Sequence, residues 1–327
     1  MAEAGRICVT GAGGFVASWA VKLLLSQNYV VHGTVRGPGD EKNAHLKKLD
    51  KAPENLKLFK AELLDYDSLF ASIKGCDGVF HVASPVPSTS VPNPEARIVE
   101  LIQPAANGTL NVLKACSEAG IKRVIYVSSG AAVSLNPSWP KGQVKDESCW
   151  SDKDYCRATN NWYCLSKTEA ESKAFEYAKG SGLDVVSVCP TLVFGPMLQS
   201  TINSSSLVLI KLLKEGYTSL ENKLRMTVDV RDVAEALLLV YNKPEAEGRY
   251  ICTAHMVKAQ ELVEKLKSIY PDYNYPKRQV IPSAFTEVRD EEHLSSEKLQ
   301  RLGWSYRPLE ETLVDSVESI KEAGLLN

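Results

Sequence analysis

Through the first 190 residues, short apolar runs alternate with amphipathic stretches. The runs RICVTG (6–11), YVVHGTVR (29–36), LKLFKAEL (56–63), GVFHVAS (78–84), RVIYVSS (123–129) and LDVVSVCP (183–190) read as strands. They are short, rich in β-branched and aromatic residues, and bounded by polar or glycine positions. Between them, SWAVKLLLSQN (18–28), YDSLFASIKG (66–75), a long pattern over 96–120 and NWYCLSKTEAESKAFEYAKG (161–180) carry the helical period. Pro104 is expected to bend the third of these, and Gly180 to end the fourth. This alternation predicts an α/β fold, a Rossmann-type doubly wound parallel sheet. After Pro190 the pattern changes. Residues 191–225 show no clear strand order, 226–244 read as a strand and an amphipathic helix, RYICTA (249–254) as a strand, and the rest as helices. The expected organisation is a dinucleotide-binding domain over 1–190 and a smaller substrate domain over 191–327. The latter is partly discontinuous, because 225–245 should pack back on the first.

Composition narrows the function classes. The chain has 327 residues, 44% hydrophobic and 24% charged, with a net charge of −2. That is an ordinary globular balance, with no basic excess to mark a nucleic-acid surface. No apolar run approaches a membrane span, and the N-terminus enters a strand almost at once, so no signal or transit segment is expected. A cytoplasmic location is expected. The eight cysteines are scattered and show no metal-ligand spacing, so thiols and no metal site are expected. Cys156 and Cys164 flank the start of NNWYCLSK; they are either a redox-sensitive pair or two plain thiols.

VTGAGGFVAS joins the first strand to the first helix. Val16 occupies the place where the GxGxxG fingerprint needs its last glycine. Gly11, Gly14 and Ala17 instead fit the spacing GxxGxxx. Such a turn lets the backbone approach a pyrophosphate at a helix N-terminus. Gly11, Gly13, Gly14, Phe15 and Val16 are the candidate phosphate-side residues. Enzymes that use NAD place a carboxylate at the end of the second strand; here stand Arg36 and, soon after, Lys42. A guanidinium forks onto a 2′-phosphate that a carboxylate would repel, so the cofactor is expected to be NADP(H). Glu62 and Leu63 would lie beside the adenine. Val82, Ala83 and Ser84 would line the nicotinamide side, with Pro190 and Val193 completing the contacts.

YxxxK occurs twice. In Tyr273–Lys277, Pro276 argues against a helix, so the two side chains should not share a face. Tyr163 and Lys167 lie four apart on a proline-free helix and do share one. VSS, with Ser129, ends the preceding strand at the carboxyl edge, where doubly wound sheets bind ligands. Hydride delivered to a carbonyl carbon leaves an oxygen that needs a proton. Tyr163 would supply it, Lys167 would stabilise the phenolate and hold the nicotinamide ribose, and Ser129 would hydrogen-bond the carbonyl oxygen.

Together these motifs resemble the extended short-chain dehydrogenase/reductases nearly end to end. Within them, VTGAGGFVASW, VRGPGDEKNAHL, FHVASPV, NWYCLSK and RYIC resemble the plant cinnamoyl-CoA reductase, dihydroflavonol reductase and atypical cinnamyl-alcohol dehydrogenase group. The resemblance implies an NADPH-dependent carbonyl reductase of phenylpropanoid metabolism acting on a small aromatic carbonyl, with a monomer favoured. The departures concern substrate. NWYCLSK, with Leu165 and Ser166, stands where cinnamoyl-CoA reductases usually read NWYCYGK. Lys211 is kept, but Val208 and Ala259 replace a histidine and an arginine suited to coenzyme A phosphates. Ser134 replaces the asparagine usual in dihydroflavonol reductases. These departures point to reduction of free cinnamaldehydes such as coniferaldehyde to alcohols. The alternative is reduction of cinnamoyl-CoA to the aldehyde. Val193, Phe194, Met197 and Leu198 are candidate pocket walls, or equally core. Two other classes share the frame: a nucleotide-sugar epimerase, which would carry an acidic residue at Arg36, and a non-catalytic NADP-binding regulatory module, which would not need the Ser–Tyr–Lys set.

Overall fold

The computed structural model describes residues 4–84, 98–214, 224–275 and 293–326. Its strands are β1 (Arg6–Thr10), β2 (Val30–Val35), β3 (Leu56–Lys60), β4 (Gly78–His81), β5 (Arg123–Val127), β6 (Asp184–Pro190), β7 (Leu192–Phe194), β8 (Leu224–Asp229), β9 (Gly248–Cys252) and β10 (His255–Lys258). Its longer helices are α1 (Phe15–Ser26), α2 (Tyr66–Ile73), α3 (Gln103–Glu118), α4 (Trp162–Ser181), α5 (Ser204–Lys214), α6 (Val230–Asn242), α7 (Ala259–Ile269) and α8 (Leu309–Glu322).

Seven strands form one sheet in the order β3-β2-β1-β4-β5-β6-β9, and every neighbouring pair is parallel. Side chains alternate between its faces, as a pleated strand requires. Ile7, Val9, Phe80, Ile125 and Val186 point to the face covered by α1 and α6, where Val21, Leu24, Val233 and Leu237 meet them. Cys8, Val79, Val124 and Val185 point to the other, against Leu69, Leu113, Ala170 and Ala174 of α2, α3 and α4. Burial on both faces explains why the inner strands read as near-continuous apolar runs, whereas the edge strand β3 alternates with exposed lysines.

Proline and glycine set the helix ends. Pro104 sits in the first turn of α3, directly after a π-helical turn over Ile98–Ile102. The proline thus starts an α-helix rather than bending one, since a first-turn residue needs no backbone N–H. α4 runs on to Ser181, and Gly182 rather than Gly180 closes it in the left-handed conformation, at φ +73°.

Beyond Pro190, β7 pairs parallel with β8 and β8 antiparallel with β10 in a second, three-stranded sheet. Phe194, Leu209, Leu213, Val257, Leu262, Leu266, Leu313 and Val317 form its core with α5, α7 and α8. Two later elements return to the main body. α6 packs on the α1 face, and β9 extends the large sheet beyond β6. No helix among the described residues is long and apolar enough to cross a membrane.

Candidate active site

Because all seven strands are parallel, their carboxyl ends share one edge. The chain reverses its direction of sheet growth between β1 and β4, and ligands of such sheets lie outside that reversal. Gly11–Gly14 follow β1, Arg36 follows β2, Val82–Ser84 follow β4 and Ser129 follows β5.

The glycine turn is tight. Gly11 takes φ +67°, and a Cβ there would lie 3.0 Å from the Cβ of Ala83. The Gly11 and Ala12 amides are used by Thr34, at 3.0 Å and 2.9 Å. A Cβ on Gly13 would overlap the side-chain oxygen of buried Asn43. Gly14 begins α1 with no side-chain cap, and the first turn carries no acidic residue. By contrast, Asp65 caps α2 and Asp229 caps α6. An uncapped helix start leaves amide donors and the positive end of the dipole facing the crevice. Phe15 is buried and Val16 half-buried against the core, so they hold the turn in place.

Arg36 is exposed, and no described carboxylate pairs with it. Lys42 is nearly half exposed and bonds Asp40 at 3.1 Å. Glu62 is exposed; Leu63 lies against α3, where a Cβ on Gly108 would stand 2.8 Å from its own Cβ.

Ser129 Oγ accepts the Ala131 amide at 3.1 Å, which leaves its hydroxyl hydrogen free to donate. Tyr163 and Lys167 stand one turn apart on α4. Tyr163 is 43% exposed, whereas Lys167 is 6% exposed. The phenol is therefore open to solvent. The Lys167 ammonium donates to no described residue and pairs with no described carboxylate, so among the described residues its donors are unspent. Its charge acts on His81 at the end of β4, and Tyr163 lies near Tyr126 of β5. An uncapped helix, a left-handed Gly11, an unpaired Arg36 and a buried Lys167 with free donors fit an NADP(H) molecule.

Two sets of polar residues near this edge escaped the sequence reading. Thr10 Oγ1 accepts the amides of Val82 (3.1 Å) and Ala83 (3.0 Å). With both lone pairs engaged, its hydrogen points to His81 Nδ1 at 2.9 Å. His81 Nε2 then faces Thr109 Oγ1 at 3.4 Å, which donates to the Ala105 carbonyl at 2.8 Å. Burial first, then Lys167, pushes His81 down to about 3, so the ring is neutral near pH 7. The second set is the buried pair of Glu171 and Arg249. A polar residue ending each of two otherwise apolar strands, ICVT and VFH, was the available signal for the first. Glu171, one turn past Lys167, was the signal for the second.

Other candidates separate. Pro190 is buried and its carbonyl accepts the Gly130 amide at 2.7 Å. Val193 and Phe194 are buried in two different core clusters, Met197 packs against both, and Leu198 is half-buried. Leu165 is buried with Leu101, Cys156 and Trp162, and Ser166 is also buried, so this departure from NWYCYGK is one of packing. Ser134 is half-buried and its carbonyl accepts Lys145 Nζ. Val208 packs half-buried against the second core, and Ala259 is buried at the start of α7. Cys156 and Cys164 are both free thiols, and burial pushes both up, Cys164 to about 12. Of the second YxxxK, Tyr273 packs edge-on to Tyr270, while Pro276 and Lys277 lie outside the described residues. No group of His, Cys, Asp and Glu among the described residues is placed to hold a metal.

The model of the NAD dependent epimerase/dehydratase family matches residues 7–252. The chain belongs to that family. Proteins similar to it include cinnamoyl-CoA reductase 1 of Petunia hybrida, 45% identical over 98% of this chain and 93% of the petunia protein. Among solved structures, vestitone reductase from alfalfa (Medicago sativa) superposes with a TM-score of 0.81 at 33% identity, over 98% of this chain and 100% of that one. Yeast methylglyoxal/isovaleraldehyde reductase Gre2 complexed with NADPH superposes with a TM-score of 0.80 at 25% identity, over 98% and 99%. This family member is an NADP-dependent oxidoreductase.

Proposed function

We propose that this protein reduces cinnamoyl-CoA thioesters such as feruloyl-CoA to the aldehyde with NADPH. The whole-length likeness to cinnamoyl-CoA reductases carries the reading, and the residues at the carboxyl edge supply a chemistry for it. NADPH, when bound, supplies the hydride. Ser129 donates its free hydroxyl hydrogen to the carbonyl oxygen and stabilises the charge that develops there. Tyr163, open to the crevice, delivers the proton that the reaction consumes. Lys167 stabilises the phenolate left behind and offers its donors to the nicotinamide ribose. One thioester, one NADPH and one proton become one aldehyde, one NADP⁺ and the free thiol of coenzyme A. The turn at Gly11–Gly14 and Arg36 hold the phosphates, and Val82, Ala83, Ser84, Pro190 and Val193 border the nicotinamide. We place the cofactor on residues 1–190 with the returning segment 225–245 and β9, and the substrate against the remainder of 191–327.

A second reading, reduction of a free cinnamaldehyde to its alcohol, is favoured by one observation. Val208 and Ala259 are apolar and turned into packing, so neither offers a charge to the phosphates of coenzyme A. NADPH oxidation with feruloyl-CoA and coniferaldehyde, side by side at equal enzyme, separates the two. The proposal expects the thioester to turn over at least about tenfold faster, a difference of ~1.4 kcal/mol in barrier. Faster turnover of the aldehyde would reverse the order of the readings.

A further inference from the structure

Glu171 is fully buried and Arg249 is 6% exposed. Arg249 Nε and Nη2 grip the two oxygens of Glu171 at 3.0 Å and 3.1 Å. The same carboxylate accepts Ser128 Oγ at 2.8 Å, Ser187 Oγ at 2.6 Å and Cys189 Sγ at 3.4 Å. Arg249 also donates to the carbonyls of Cys149 (2.6 Å), Glu147 (3.1 Å) and Ala132 (3.2 Å), and its guanidinium lies 3.7 Å from the centre of the Trp150 ring. Every donor and acceptor of the pair is engaged with protein.

Net stability does not account for such a pair, because well-packed apolar side chains of the same volume do as well or better. Its bonds are directional, and their endpoints matter. Glu171 stands one turn beyond Lys167 and two beyond Tyr163 on the same face of α4. Ser128 directly precedes Ser129 at the end of β5. One carboxylate therefore ties the helix that carries the proton donor to the strand that carries the carbonyl ligand, with β6 and β9 as further anchors.

We propose that Glu171 and Arg249 are positioning residues for the reductase. They set the register of α4 against the ends of β5, β6 and β9, so that Tyr163 and Lys167 stand opposite Ser129. The proposal rests on the reading of Ser129, Tyr163 and Lys167 as the catalytic set. Misplacement of a reacting group by about 1 Å costs on the order of a hundredfold in rate.

The test compares the wild type, Ser128→Ala, the double variant Glu171→Leu/Arg249→Met, and Tyr163→Phe. Each is assayed for kcat and KM by NADPH oxidation with feruloyl-CoA and coniferaldehyde, and for folding by circular dichroism. Ser128→Ala removes one bond and no charge. The double variant removes both charges while keeping volume. The expected result is a kcat per folded molecule lowered about 5–20-fold in the first and about 100-fold in the second, with KM within about twofold; a smaller folded fraction also lowers apparent kcat at constant KM, so each rate is divided by the folded fraction from circular dichroism. Wild-type kcat in the folded variants overturns the proposal, as does a loss that merely tracks the folded fraction. If the double variant fails to fold, Ser128→Ala decides alone. An active Tyr163→Phe removes the catalytic reading and the proposal with it. An inactive Tyr163→Phe beside fully active Ser128→Ala and double variants removes the positioning role only.

Discussion

Arg36 offers a prediction whose size follows from its surroundings. It is exposed at the end of β2, and no described carboxylate engages it. Its fork is thus free for the 2′-phosphate that distinguishes NADPH from NADH. A charge-assisted hydrogen bond of this kind contributes about 1.5–3 kcal/mol, so Arg36→Ala should weaken NADPH binding about 10–150-fold. NADH, lacking the phosphate, should bind the variant as it binds the wild type. Lys42 makes the contrast. It is nearly half exposed and already held by Asp40 at 3.1 Å. Exposed pairs of this type are worth about 0–1 kcal/mol, so Lys42→Ala should cost at most about fivefold. Fluorescence titration of both cofactors against the three proteins measures this directly. Equal loss of NADPH and NADH in Arg36→Ala, or a larger loss in Lys42→Ala, would refute the reasoning.

Other predictions concern the turn, the buried histidine and the serine. Gly13→Ala should displace Asn43 and break its 2.8 Å bond to the Gly37 carbonyl, lowering stability by about 1–3 kcal/mol in urea unfolding and weakening NADPH binding; an unchanged midpoint would speak against it. His81 has a folded value of about 3 against roughly 6.5 when unfolded. The unfolded chain therefore binds the extra proton between those values, so this contribution to stability is complete above about pH 6.5 and is lost as pH falls. At pH 5 the loss is about 2 kcal/mol. Urea unfolding of His81→Gln at pH 7 and pH 5 should show a difference smaller by that amount, and the wild-type difference would contradict it. Ser129→Ala should lower kcat on the order of 10²–10³-fold with little change in NADPH affinity; a parallel loss of affinity would make Ser129 a cofactor contact instead.

The large sheet was legible because its inner strands are buried on both faces, which forces apolar runs, and because short polar or glycine punctuation separates them; the edge strand β3, LKLFK, is only half-buried and keeps two exposed lysines. The second sheet was not. β7 has three residues, inside PTLVFGP, and its partner β8 starts only at Leu224. No local period marks so short a strand. The glycine turn, Arg36 and the Tyr163–Lys167 spacing follow from local geometry, so they stood out in the chain. The Glu171–Arg249 pair joins residues far apart, through a strand order that only the fold reveals. Pocket walls were not legible for a related reason. Val193 and Phe194 are apolar, and an apolar residue lines a pocket or fills a core with the same chemistry; the fold buries both. Substrate was read from Val208 and Ala259 toward a free aldehyde, whereas the likeness over nearly the whole chain weighs toward the thioester.

The most direct test is Tyr163→Phe, which removes one oxygen from a side chain already open to solvent. Steady-state NADPH oxidation with feruloyl-CoA and coniferaldehyde should fall at least about a hundredfold, within the range for losing a general acid, while NADPH binds with unchanged affinity. Turnover within a few-fold of the wild type would show that the proton comes from another group, and would remove the mechanism.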